Sequence, residues 1–186
     1  MSSHVALVRA INVGGTGKLA MRDLREICEG LGLENPVTYI QSGNVVFESK
    51  LREAQVKQKL EKALAKKLGK PVAVLIRGER ELAAALEHNP FSRADPKRVL
   101  LVFLDRAPDG FLLGDGRRPG GEELVLLGRE LFIHFPKGMG ASRLVLPFRD
   151  VGTGRNLNTV RKLFELLRDR RPKLGSVERP SKPARK

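Results

Sequence analysis

The first strong pattern in the chain is a nearly continuous apolar run at 4–11, HVALVRAI. Such a run is too short for an ordinary helix, and its Val and Ile content predicts a strand covered on both faces. A glycine-rich connection follows, Asn12-Val13-Gly14-Gly15-Thr16-Gly17. Met21, Leu24, Cys28 and Leu31 then recur at helical spacing, with Ile27 beside them, and Gly30 or Gly32 marks the end of that helix. Residues 37–41 and 44–48 predict two strands joined about Ser42-Gly43, a tight hairpin signal. Residues 51–68 predict a second helix with Val56, Leu60, Ala63, Leu64 and Leu68 inward and its lysines largely outward. Gly69 stops it, and Pro71 opens a strand at 72–76. The order β-α-β-β-α-β is the split βαβ pattern of a ferredoxin-like fold.

The second half is less regular. A short helix is expected at 79–87, a buried strand at 98–104, a Gly/Pro-rich loop across 105–121, and a hairpin at 123–127 and 130–135 around Gly128-Arg129. Leu157, Val160, Leu163, Phe164 and Leu167 predict a final amphipathic helix, while the pattern at 144–148 is ambiguous. This half echoes the first as a pattern, without a residue-level repeat. The predicted strands of the first half are apolar on both faces, and its helices cover only one. The expectation is therefore an α+β fold: a ferredoxin-like half at 1–77, a second α+β half at 78–168 packed on it in one unit, and a basic, disordered tail at 169–186.

Charge changes the picture of the surface. The 186 residues carry a formal charge of +14, of which +6 lies between Arg168 and Lys186. A second concentration falls on the helix at 51–68 and just beyond it, with Lys57, Lys59, Lys62, Lys66, Lys67 and Lys70. Excess positive charge attracts polyanions without sequence preference. Lys57, Lys59, Lys62, Lys66, Arg170 and Arg171 are thus candidate nucleic-acid contacts. Aromatic platforms for base stacking are scarce: the chain has one Tyr and no Trp. The lone Cys28 cannot form an internal disulfide, which fits a cytoplasmic protein. No apolar run is long enough for a membrane helix, and the beginning of the chain lacks the charged leader of a signal peptide.

Topology brings two polar clusters to one edge, and the composition of a third adds it to the candidate site. In the split βαβ arrangement the first strand ends at the 12–17 loop and the second at the 41–44 turn. Asn12, Gly14, Gly15, Gln41, Ser42, Gly43 and Asn44 therefore share one edge of the sheet, with Arg9 near the end of strand one. Backbone N–H groups of glycines and the start of the following helix suit an oxyanion. The third cluster, Gly152 to Thr159, leads into the last helix; Asn156 is its expected cap, and Arg155 and Asn158 are candidate ligand donors.

Familiar catalytic chemistry is poorly represented. The 12–19 loop lacks the Gly-Lys-Ser/Thr of a Walker loop and the spacing of GxGxxG. His4, His88 and His134 are isolated, so no metal site is expected. Ser42 has no GxSxG elbow around it. The polar loops hold Arg, Asn, Gln, Ser and Gly rather than paired carboxylates, groups that orient a ligand but do not readily exchange protons near neutral pH. No cofactor is implied.

Four stretches, Leu7 to Gly15, Tyr39 to Phe47, Asn89-Pro90-Phe91 and Thr153 to Val160, together resemble the bacterial family catalogued as domain of unknown function 1697. The resemblance spans 4–168 and implies a ferredoxin-like α/β core but no activity, ligand or catalytic residue. The chain departs from that pattern with Ala10 for Gly, Gly154 for Ala and Leu157 for Trp. The leading expectation is an intracellular binding domain for a phosphate-bearing small molecule, contacted by Arg9, Asn12, Gly14, Gly15, Gln41, Ser42, Asn44, Arg155, Asn156 and Asn158. The alternatives are a nucleic-acid-binding protein using the basic helix and tail, and an enzyme of undefined reaction using the same loops.

Overall fold

Strand β1 (Ser2–Val8) puts Val5 and Leu7 on one face and Ala6 and Val8 on the other, and all four are buried. The computed structural model, which describes residues 1–12, 18–108, 118–144 and 152–170, shows what covers each face. Ala6 and Val8 join Val45, Phe47, Val74 and Ile76 beneath helices α1 (Met21–Gly30) and α2 (Glu53–Leu68), which insert Leu24, Cys28, Val56, Leu60 and Leu64. Burying each such aliphatic side chain is worth about 1.5–3 kcal/mol. The sheet is completed by β2 (Glu34–Tyr39), β3 (Asn44–Ser49) and β4 (Val74–Gly78), in the order β2-β3-β1-β4 with antiparallel neighbours.

Val5, Leu7, Val46 and Leu75 face the opposite way, onto a second four-stranded sheet. Its strands are β5 (Val99–Leu104), β6 (Glu123–Leu127), β7 (Glu130–His134) and β8 (Gly152–Asn156), ordered β6-β7-β5-β8 and again antiparallel. Leu101, Phe103 and Phe132 meet the first sheet together with Leu82 and Ala85 of α3 (Glu79–Glu87) and Val160, Leu163 and Leu167 of α4 (Leu157–Arg168). The outer face of the second sheet gathers Leu104, Leu131, Ile133 and Phe135 into a third cluster. Both sheets thus follow one strand order, and the α+β class is observed.

Four local differences from the sequence pattern have physical reasons. Strand β1 stops at Val8 because Ala10 and Asn12 take left-handed backbone angles, φ 47° and 56°. Strand β2 begins at Glu34, three residues before its apolar signal, through a register shift that accommodates Asn35 at φ 51° and Pro36. It is an edge strand, where proline is tolerated. Strand β4 lies at Val74–Gly78 rather than 72–76, so Arg77 is a strand residue. Strand β8 was hidden from the pattern by its two glycines. They are required by packing: a Cβ on Gly152 would stand 2.7 Å from the Phe103 carbonyl, and one on Gly154 3.0 Å from Leu100 Cδ2. The glycine-rich loop at 13–17, much of the 105–121 loop and all but Leu144 of the ambiguous 144–148 segment lie outside the described residues, as does the tail from 171 onward.

Candidate functional site

Arg155 joins the three polar clusters. It is only 8% exposed, and each of its N–H donors is used within the protein. Nε donates to Asn44 Oδ1 at 2.6 Å, Nη1 to Thr153 Oγ1 at 2.8 Å and the Gly154 carbonyl at 2.9 Å, and Nη2 to the carbonyls of Val8 at 3.0 Å and Ser42 at 2.8 Å. A guanidinium has five N–H donors, so none remains for direct contact with a ligand. Every acceptor is neutral, and no carboxylate among the described residues pairs with it. Burial pushes its pKa down to about 10, which leaves it protonated at neutral pH.

The other predicted donors brace the same edge. Asn12 Oδ1 accepts from the Leu19 N–H at 2.9 Å, and Asn12 Nδ2 donates to the carbonyls of Leu19 and Gln41, each at 2.9 Å. One side chain therefore closes the stem of the 12–19 loop and ties it to the β2–β3 turn. Asn44, fully buried, donates to the Tyr39 carbonyl at 3.1 Å and Ser42 Oγ at 2.9 Å. Asn156 caps α4 by accepting from the Thr159 N–H at 2.8 Å. Gln41 and Asn158 are exposed, and Arg9 is half-buried with its backbone N–H on the Ala73 carbonyl at 2.9 Å. Gly14 and Gly15 lie outside the described residues. Segments 9–12, 18–20, 40–44, 70–73 and 152–159 contain no Asp or Glu.

Sequence reasoning missed a second arginine in the same structural position. Leu7 pairs with Asn44 and Val5 with Arg77 in the first sheet; Phe103 pairs with Glu130 and Leu101 with Arg155 in the second. Each arginine is the last residue but one of its strand, directly before the residue that caps the next helix, and reaches across to the other sheet. Arg77 Nε donates to Glu130 Oε1 at 2.7 Å, and Nη2 to the Leu104 carbonyl at 2.6 Å and more distantly to that of Arg129. Its guanidinium also lies 5.4 Å from the centre of the Phe103 ring. Burial lowers the Arg77 pKa, and Glu130 opposes the shift. Around this rim Arg129 binds Glu53 and Glu81, and Lys57 pairs with Asp105. Arg129 is held above its ordinary pKa, with Glu53 the largest cause. The available sequence signal was an arginine directly before a helix cap in both halves, Ile76-Arg77-Gly78 and Gly154-Arg155-Asn156.

The helix ends repeat the contrast. The first turn of α3 carries Glu79 and Glu81, and Glu81 Oε2 accepts from the Gly78 N–H at 2.9 Å. The first turn of α4 carries no acid. Of the basic candidates, Lys59, Lys62 and Lys66 are exposed and Lys57 is half-buried in its ion pair. Arg170 is half-buried at the end of α4, lining a cavity with His4 and Glu48, and Arg171 lies outside the described residues. Among the described residues no His/Cys/Asp/Glu group can hold a metal ion, and no helix is long and apolar enough to cross a membrane. Cys28 is buried, which pushes its thiol up to about 12.

The structure of the conserved bacterial protein SP0830 from Streptococcus pneumoniae is similar to this one with a TM-score of 0.71 and 28% sequence identity, covering 89% of this chain and 98% of that one. No curated protein matches the chain. The family described as "Protein of unknown function (DUF1697)" matches residues 1–132, a stretch that includes the hairpin bearing Asn44 and the strand bearing Arg77. By that match, which extends over most of its length, this chain belongs to the DUF1697 family.

Proposed function

We propose that the chain binds a small phosphate-bearing anion at the rim where β1, the β2–β3 turn and β8 meet. The observation that carries this reading is the buried charge of Arg155, which is protonated at neutral pH and surrounded by neutral acceptors. Hydrogen bonding satisfies the guanidinium without cancelling its charge. In a poorly polarisable interior such a charge projects a positive potential to the nearby surface. Arg155 then attracts the ligand through space, while exposed groups at the same edge make the contacts: Lys18, Gln41 and Asn158. The acid-free first turn of α4 adds its dipole in the same sense. These groups do not exchange protons readily near neutral pH, which favours binding over acid–base catalysis.

The test exploits the other rim. Thermal unfolding is followed with inorganic phosphate, pyrophosphate and a panel of nucleotides and sugar phosphates. A ligand at about 100 times its Kd adds about 2.7 kcal/mol. Asn44→Asp sets a carboxylate on Arg155 where Glu130 stands on Arg77, and is expected to leave a folded protein that no longer gains stability from the anion. Glu130→Gln is expected to create anion-dependent stabilisation at the second rim. A folded Asn44→Asp protein stabilised as strongly as the parent refutes the reading, as does a parent protein that responds to none of the anions.

A further inference from the structure

The outer face of α2 carries a row of lysines that the rim does not use. Val56, Leu60 and Leu64 point into the core, and Lys59, Lys62 and Lys66 stand exposed on the solvent side. At i, i+3 and i+7 they form one stripe about 10 Å long at 1.5 Å per residue. Neighbours at these spacings with like charge destabilise a helix. Two other helices balance such charges: Arg22 pairs with Glu26 and Lys162 with Glu165. Even on α2, Lys57 and Lys67 are balanced by Asp105 and Asp23. Lys59, Lys62 and Lys66 have no acid three or four residues away in either direction and make no ion pair among the described residues. A concentrated row of charge kept against local helix preference marks a surface shaped for something other than stability.

We infer that this face docks duplex nucleic acid through its phosphate backbone, independently of sequence. Charge complementarity names a polyanion, and the composition of the face selects among polyanions. It exposes Gln55, Gln58 and the lysines and no large apolar side chain, so it has nothing to insert into a lipid interface. It also exposes no aromatic ring on which the bases of a single strand would stack. Lysines without base-reading partners position a backbone and do not specify a sequence.

The experiment is fluorescence anisotropy of the full chain with a labelled duplex of arbitrary sequence, titrated at several salt concentrations. Replacing the three lysines together, Lys59→Gln, Lys62→Gln and Lys66→Gln, is expected to reduce the log–log salt slope by about 2.7, the counterion release of three phosphate contacts. The parent therefore loses about 40-fold more affinity than the triple variant between 50 and 200 mM salt. A control variant, Arg93→Gln, Lys97→Gln and Arg143→Gln, removes equal charge elsewhere and is expected to keep the parent slope. An unchanged slope in the folded triple variant overturns the inference, as does an equal loss of slope in the control. Tighter binding to a single strand, or to vesicles of anionic phospholipid, also overturns it, as does no duplex binding by the parent at 50 mM salt. Because Asn44 and Arg155 take no part, failure here leaves the rim reading intact.

Discussion

Two rims of this molecule hold an arginine at the same register, and they differ in the charge of the side chain that meets Nε. Arg77 meets the carboxylate of Glu130, and Arg155 meets the amide of Asn44. Both are buried, and both reach the carbonyl that ends the first strand of the opposite sheet, Leu104 or Val8. The contrast separates two requirements that are easily merged. Satisfying a buried guanidinium needs acceptors, which backbone carbonyls and an amide supply. Neutralising it needs a carboxylate, which among the described residues only the Arg77 rim has. Among the described residues the Arg155 rim, the first of the two described, is complete as a set of hydrogen bonds and incomplete as a set of charges.

The largest expected effect comes from removing each arginine. Arg77→Met strands the Glu130 carboxylate and is expected to cost about 3–5 kcal/mol. Arg155→Met leaves only neutral acceptors unpaired and is expected to cost about 1–3 kcal/mol. Denaturant midpoints at constant m-value measure both, and equal losses would break the distinction between charged and neutral partners.

The hairpin turns sharpen the comparison next. Gly43 has φ +73°, and a Cβ there would stand 2.5 Å from Ile11 Cδ1 and 3.0 Å from Val8 Cβ. Gly128, in the turn of the second sheet, has φ +60°, but its nearest neighbour is Glu130 Oε2 at 3.9 Å. Gly43→Ala combines backbone strain with overpacking and is expected to cost about 2–4 kcal/mol. Gly128→Ala meets the backbone penalty alone, about 1 kcal/mol. Thermal unfolding of the pair checks the order, and a reversed order would mean that the crowding at the first rim relaxes freely.

The smallest effect is a pH dependence confined to the second rim. Burial raises the Glu81 pKa, but the Gly78 N–H and Arg129 outweigh it and hold the carboxyl below its ordinary value of 4.5. The folded state thus prefers the ionised form. Its contribution is complete above that ordinary value and disappears as pH falls through the lower folded one. Glu81→Gln keeps an acceptor for the Gly78 N–H and removes only the charge facing Arg129, so it is expected to lose about 0.5–1 kcal/mol at neutral pH, the worth of a partly exposed ion pair, and nothing in strong acid. Parent and variant melting temperatures that stay equally far apart at both pH values would remove Glu81 from the balance of that rim.

Much of this architecture was legible in the chain. The continuous apolar runs of β1 and β3, the Ser42-Gly43 turn and the four-residue spacing of Val56, Leu60 and Leu64 carried the order of the first half, because those signals are local. The cap at Asn156 was legible for the same reason. Strand β8 was not, since its glycines answer to Leu100, Val102 and Phe103, residues some fifty positions away in sequence. Of the candidate site, the meeting of the 9–12 and 41–44 segments followed from topology, while the place of 152–156 beside them came from the packing of the second sheet. The direction of their side chains did not. Asn12, Asn44 and Arg155 were read as donors facing outward, and their hydrogen bonds are made to protein.

The sequence by itself determined the elements other than β8, their class, the strand order of the first half, the absence of acids from the polar loops and the lysine surplus of α2. These depend on composition and on spacings of a few residues. Tertiary structure alone decided that Arg77 and Arg155 occupy matching positions, that Glu130 and Asn44 are their partners, and that one charge is cancelled while the other is not. Such facts depend on which distant atoms come within a hydrogen bond of each other, and no local periodicity encodes that.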